Sequence, residues 1–239
     1  MNRNISGQWA RRVVWGTLVA VAAIGCNPLN IAAFMFARDE KIEAPYPLSF
    51  DKDSPKKDKD EVLVVLLPHL APGTPRELIT ADRELADKLA RILPELSKQN
   101  KDKPKIRVVP PAEVDKFKLR NPNWKQMTAG EIGEKLHADF VLEIELSNLR
   151  LYQPNTGSQV KIYEGRAEVT VYIYEIGPNG GEFKDRYPLS FAHPKDMILR
   201  DASVLSEATF KQEYIENLAK AIAHMHVDHK ASTHMLTSR

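Results

Sequence analysis

Residues 61–67, EVLVVLL, form a continuous apolar run of strand length with no alternation between faces. A short run of this kind reads as a strand buried on both faces of a sheet. Pro68 follows and predicts the end of the strand, because proline has no N–H to give to a ladder. Thr74-Pro75-Arg76-Glu77 comes next. Threonine as N-cap, proline at the first helical position and glutamate at the third predict a helix starting here. Its apolar stripe is Leu78, Leu85, Leu89, Ile92 and Leu96, and Pro94 is expected to kink or fray the last turn. A second short strand, KIRVVP at 105–110, completes a strand–helix–strand unit with an expected right-handed crossover.

Beyond this unit the periodicity changes. Residues 111–119 predict a short helix, the stretch around Pro122 and Trp124 a loop, and Thr128-Ala129-Gly130-Glu131 a capping box for a helix reaching about His137. From Asp139 to Tyr152 the chain alternates. Phe140, Leu142, Ile144 and Leu146 take one face, and Glu143, Glu145 and Ser147 the other. The alternation slips at Asn148 and resumes with Leu149 and Leu151, which predicts a β-bulge. Turn residues at 153–157 lead to a long strand over 160–176, with Val169, Val171 and Ile173 on one face. Pro178-Asn179-Gly180-Gly181 predicts a hairpin, and the returning strand carries Phe183, Tyr187, Leu189 and Phe191 on one parity. A final helix over 206–226 shows Phe210, Tyr214, Leu218, Ile222 and Met225 as its buried stripe. The expected fold class is mixed α/β (α+β): β-α-β-α, a three-stranded antiparallel meander and a C-terminal helix, in one mixed sheet packed by helices. The expected globular domain spans 61–229, with a flexible tail at 230–239.

The N-terminal region reads as an address. Residues 1–25 hold Arg3, Arg11 and Arg12, no acid, and a 13-residue apolar stretch from Val13 to Gly25. That is the build of a cleaved export signal, and it is well short of the roughly 20 residues that span a bilayer. The competing reading is an uncleaved anchor running past Cys26 to Ala37, which Asn27, Pro28 and Asn30 interrupt. Cys26 is the chain's one cysteine, so it has no disulfide partner and builds no cysteine metal site. Ala23-Ile24-Gly25-Cys26 resembles a bacterial lipobox, in which cleavage between Gly25 and Cys26 precedes lipid attachment to the cysteine. Alanine at the first of these positions departs from the usual leucine. Acyl chains on Cys26 supply about 0.8 kcal/mol per buried methylene, and more than one chain holds stably. Asn27, by analogy, is compatible with the outer membrane. Residues 51–60, DKDSPKKDKD, carry no apolar side chain and read as a solvated tether.

Without residues 1–25 the chain carries one basic residue fewer than acidic, which gives none of the electrostatic footprint of a nucleic-acid binder. No Gly-x-Ser-x-Gly elbow or glycine-rich phosphate loop is present, and no cofactor is expected. Glu143 and Glu145 read as the solvent side of a half-buried strand rather than an acid–base pair. The remaining candidate is HMHVDH at 224–229. Positions 224 and 226 point apart on a helix, but His226 and His229 have a spacing that fits a metal.

The opening strand VLVVLLP (62–68), the helix-to-strand step GEIGEKLHADFVLEIEL (130–146) and the strand and turn GRAEVTVYIYEIGPNGG (165–181) carry a resemblance. Over roughly 61–226 the chain resembles the envelope-lipoprotein domains related to the curli secretion channel lipoprotein and the amino-terminal domain of the Tol-system propeller protein. Its N-terminal GCNP with YPL behind it is also similar to lipoproteins of planctomycete-type bacteria. The resemblance implies a periplasm-facing, lipid-anchored envelope protein with a non-catalytic adaptor or accessory role in a secretion, polymer-export or cell-wall assembly. Its partners would be the membrane and an envelope protein. The alternative is an envelope enzyme or a metal-binding protein using the C-terminal histidines.

Overall fold

The computed structural model describes residues 41–50, 54, 56–100, 102–154, 162–178, 180–194, 200–201 and 205–230. Residues 1–25, read as an export signal, together with Cys26 and the run on to Ala37, lie outside the described residues. The main sheet has the order β3-β2-β4-β5-β6, built from β2 (Glu61–Leu70), β3 (Lys105–Val108), β4 (Phe140–Tyr152), β5 (Ile162–Gly177) and β6 (Gly180–His193). A two-residue strand, β7 (Arg200–Asp201), pairs with the start of β5. A separate ladder joins β1 (Lys41–Ile42) to β8 (His229–Lys230). The helices are α1 (Ala81–Ser97), α2 (Pro111–Arg120), α3 (Ala129–Lys135) and α4 (Glu207–His226).

β2 runs parallel to both of its neighbours, β3 and β4, and this is why its sequence does not alternate. Val62, Val64 and Leu66 pack into the larger core with α1 and α4, while Val65 and Leu67 enter a second core beneath α2 and α3. The expected strand end at Pro68 is corrected: β2 continues to Leu70, with Pro68 opposite Ile144. The backbone parity explains this. The Leu63 carbonyl accepts from Asp139 N–H on the β4 side and the Val64 carbonyl from Val109 N–H on the β3 side, so even-numbered residues of β2 face β3. β3 ends at Val108, opposite Val64, so the N–H that Pro68 lacks would have pointed into an unoccupied edge.

The start of α1 is a second correction. Thr74 does not cap it, because its hydroxyl donates to the Ala71 carbonyl at 2.8 Å. Arg76–Leu78 is a single 3-10 turn, and α1 begins at Ala81 after Thr80. The stripe is otherwise as read: Leu78, Leu85 and Leu89 are fully buried, Ile92 is buried and Leu96 packs at the margin, while Leu93, which the stripe left out, is fully buried as well. Burying each leucine contributes about 2 kcal/mol before entropy is counted. α1 passes through Pro94 to Ser97, whose hydroxyl donates to the Pro94 carbonyl at 2.9 Å and accepts from Ile106 N–H at 3.0 Å.

The capping box of α3 is complete. Thr128 Oγ1 accepts from Glu131 N–H at 3.2 Å, and Glu131 Oε2 accepts from Thr128 N–H at 2.7 Å. The bulge falls where the alternation slips, with Asn148 at φ 50° and a register shift between Ser147 and Arg150. β5 and β6 form the expected hairpin, Gly177 opposite Gly180. α3 lies so close to this hairpin that a Cβ on Gly181 would sit 2.2 Å from the Gly130 Cα, so neither position admits a side chain. On β6, Tyr187 and Phe191 face the core, but Phe183 does not and is 57% exposed. A register shift at Ile173/Tyr174 puts one extra residue in β6, which turns Phe183 to the opposite face, edge-on to Tyr174.

Residues 41–50 pack on the same core. Tyr46 stacks on Tyr187 at 4.4 Å, Phe50 meets Phe140 at 5.1 Å, and Leu48 is 4% exposed. Among the described residues no helix is long and apolar enough to cross a membrane.

Candidate functional site

α4 ends at His226, Val227 is extended, and His229 lies on β8. The helical spacing that would bring His226 and His229 together therefore stops between them. His226 is buried, with Nδ1 2.8 Å from the Tyr46 carbonyl and Nε2 2.9 Å from the Tyr187 hydroxyl. A carbonyl only accepts, so Nδ1 carries the proton and Nε2 accepts from Tyr187. Burial pushes the His226 pKa down to about 4, against a smaller upward pull from the Tyr46 carbonyl. His229 stacks on His224 instead, with ring centroids 3.8 Å apart, and its Nδ1 lies 3.3 Å from the Val227 carbonyl. The structure thus pairs 226 with Tyr187 and 229 with His224. Among the described residues no group of three or more His, Cys, Asp or Glu side chains is placed to hold a metal ion.

Two buried carboxylates organise the ends of the sheet, and neither stood out in the sequence as a structural centre. Asp228, with its side chain 1% exposed, accepts from Ala44 N–H at 2.9 Å and Lys103 Nζ at 2.7 Å, and pairs with Lys41 Nζ at 3.0 Å. Burial would raise its pKa, but these donors outweigh burial and hold it down to about 2. Asn100 Nδ2 also donates to the Asp228 carbonyl at 3.0 Å. Asp139, just before β4, accepts from Lys59 Nζ at 2.7 Å, Lys56 Nζ at 3.1 Å and Leu63 N–H at 3.1 Å. Against its burial, these hold its carboxyl below the ordinary range. Lys56 and Lys59 belong to the charged segment read as a tether, so that part of it is bonded to the end of the sheet. The sequence signal for both centres is weak, because one aspartate beside a strand or after a helix has many uses.

The outer face of the meander is composed differently. Glu143 and Glu145 stand opposite Tyr172 and Thr170, and Glu168 opposite Ser190. Tyr174 donates to Glu143 at 3.1 Å and Ser190 to Glu168 at 2.7 Å. Burial first, and then the Glu143 charge, push the Tyr174 hydroxyl up to about 12. α2 and α3 cover Val65, Leu67, Val141 and Ile176 at one end of this face. Farther along, Glu168, Arg186, Pro188 and Ser190 are exposed. Ile176 N–H bonds to β4, so even-numbered residues of β5 face β4 and Thr170 makes no backbone bond to Pro188. The N–H missing from Pro188 therefore lies on the open edge of β6, where it deters strand addition. The arrangement is a polar, aromatic-bearing sheet surface.

No family model matches the chain, and no curated protein matches it. Among solved structures it is similar to the PelC dodecamer from Paraburkholderia phytofirmans, at 14% identity over 79% of this chain and 96% of that chain, TM-score 0.38. It is similar to the hypothetical protein CT253 from Chlamydia trachomatis at 14% identity, over 68% of this chain and 96% of that chain, TM-score 0.42. It is also similar to lipoprotein GNA1162 from Neisseria meningitidis at 13% identity, over 68% of this chain and 98% of that chain, TM-score 0.39. None of these likenesses assigns a partner, ligand or reaction to this chain.

Proposed function

We propose that the protein is exported, lipid-anchored through Cys26 and active as a non-catalytic adaptor or accessory subunit of an envelope assembly for secretion, polymer export or cell-wall work. The observation that carries the adaptor role is the outer face of the meander, where Glu168, Arg186, Pro188 and Ser190 stay exposed beside Tyr172 and Tyr174. Three buried ionisable side chains support the same reading, since Asp139, Asp228 and His226 are engaged in joining segments of the fold. Membrane attachment is supported by Ala23-Ile24-Gly25-Cys26 behind a basic and apolar leader.

Two measurements test the proposal. Cys26→Ser should move the protein from the membrane fraction to the soluble fraction, whereas an uncleaved chain that stays in the membrane would support the anchor reading. A photo-reactive residue at Thr170 should cross-link one envelope protein in an amount comparable with its own, and the same probe at Glu113 on α2 should not. Equal yields from both positions would count against the sheet face as the docking surface.

A further inference from the structure

Residues 41–50 pack on the domain, so the chain is already part of the folded unit by Lys41, ahead of Glu61. Lys41 lies 15 positions after Cys26, a length of chain that spans at most about 50 Å in any conformation. Entry at Glu61 would have allowed about 120 Å. The corner of the domain at this entry is rich in lysine. Lys57, Lys59, Lys98, Lys103 and Lys105 line an open hollow of about 760 Å³, against three aspartates. Lys41 belongs to the same corner, because its ammonium and that of Lys103 hold the two oxygens of one carboxylate, Asp228. Lys230 lies opposite Lys41 in the β1–β8 ladder.

Some of these lysines are committed to the fold: Lys59 to Asp139, and Lys41 and Lys103 to Asp228. Lys57 and Lys105 are exposed and stand outside the ion pairs of the described residues. Lys98 is paired with Glu95 on the surface, where such pairs exchange readily with other anions. We infer that this corner is a second membrane contact, which seats the domain on anionic lipid headgroups through Lys57, Lys98 and Lys105. The inference rests on the lipid-anchor reading of Cys26 and deepens it. One lipid signal combined with a basic patch is a recurrent way to hold a domain at a bilayer, and the patch acts only within about a Debye length, roughly 10 Å. The lead from Cys26 confines the domain to within about 50 Å of the attachment point, which raises the local concentration of headgroups at the lysines, and the strapped segment 56–60 presents Lys57 beside them.

The test uses the full chain attached to vesicles of phosphatidylcholine, with or without about one third phosphatidylglycerol, and times the labelling of each lysine by a water-soluble amine reagent. Lys57, Lys98 and Lys105 should react about fivefold more slowly on the anionic vesicles, and about 0.5 M salt should abolish the difference. Lys125, in the turn after α2, should react equally on both. A Lys57→Glu/Lys105→Glu variant, which leaves the Asp139 and Asp228 contacts intact, should show Lys98 labelled at the neutral-vesicle rate. Equal rates on both vesicle types would overturn the inference. So would equal protection from glycerol phosphate in solution with neutral vesicles, because the site would then bind a free anion rather than a surface. Flotation with neutral vesicles scores the anchor separately. A chain that does not float refutes the Cys26 reading, and its lysines are still scored against added anionic vesicles.

Discussion

Asp228→Asn keeps the shape of the side chain and an oxygen to accept from Ala44 N–H, and removes the charge that Lys41 and Lys103 answer. A carboxyl held at about 2 in the fold, against an ordinary 3.8, gains about 2 kcal/mol on folding. The folded pKa is the lower one, so this stability is fully present above about pH 4 and is lost as pH falls toward about 2. Lys41 and Lys103 keep side-chain exposures of 50% and 35%, so without the carboxylate their ammonium groups return to water. The cost should therefore stay near about 2 kcal/mol and not reach the roughly 3–5 kcal/mol of a broken pair that is fully enclosed. The assay is urea unfolding of the full chain and the variant, followed by circular dichroism across this pH range. The two should differ by about 2 kcal/mol at neutral pH and converge by about pH 2. A difference below about 0.5 kcal/mol at neutral pH, or one unchanged at about pH 2, would refute the reasoning.

Gly181→Ala should cost about 1–3 kcal/mol in urea unfolding, because the new methyl meets the Gly130 backbone, which has no rotamer with which to yield. Tyr187→Phe leaves His226 Nε2 without its donor and should cost about 1–3 kcal/mol by the same measurement. In the unaltered protein, nuclear magnetic resonance should find His226 neutral until about pH 4. Its folded pKa is depressed below 6.5, so its share of the stability is lost as pH falls from about 6.5 toward 4, and a midpoint near 6.5 would contradict its burial. Thr128→Ala opens the capping box of α3 and should lower stability by about 1 kcal/mol, with no loss of the cooperative transition.

Local signals located most of the fold. Thr128 with Glu131, the Pro178–Gly181 turn, the slip at Asn148 and the stripe of α4 each lie within a few residues of chain, and the structure has them where the pattern puts them. The unbroken apolar run at 61–67 also required cover on both faces, and it has α1 and α4 on one side and α2 and α3 on the other. The elements that departed from expectation depend on neighbours distant in sequence. Pro68 continues β2 because β3 has already ended beside it. Phe183 turns outward because β6 fits one extra residue against β5.

The ionisable centres were the least legible part. Asp228 meets Ala44 across 184 positions and Asp139 meets Lys56 across 83, and no periodicity extends so far. His226 and His229 look like one pair in sequence, yet the helix stops between them and gives each a different partner. By itself, then, the sequence determined the order of elements, their buried faces and the lone Cys26, because hydrophobic periodicity, caps and turns are properties of short segments. Only the tertiary structure decided that residues 41–50 pack on the domain and which buried charges are answered, because those outcomes depend on which distant backbones and lysines fold into contact.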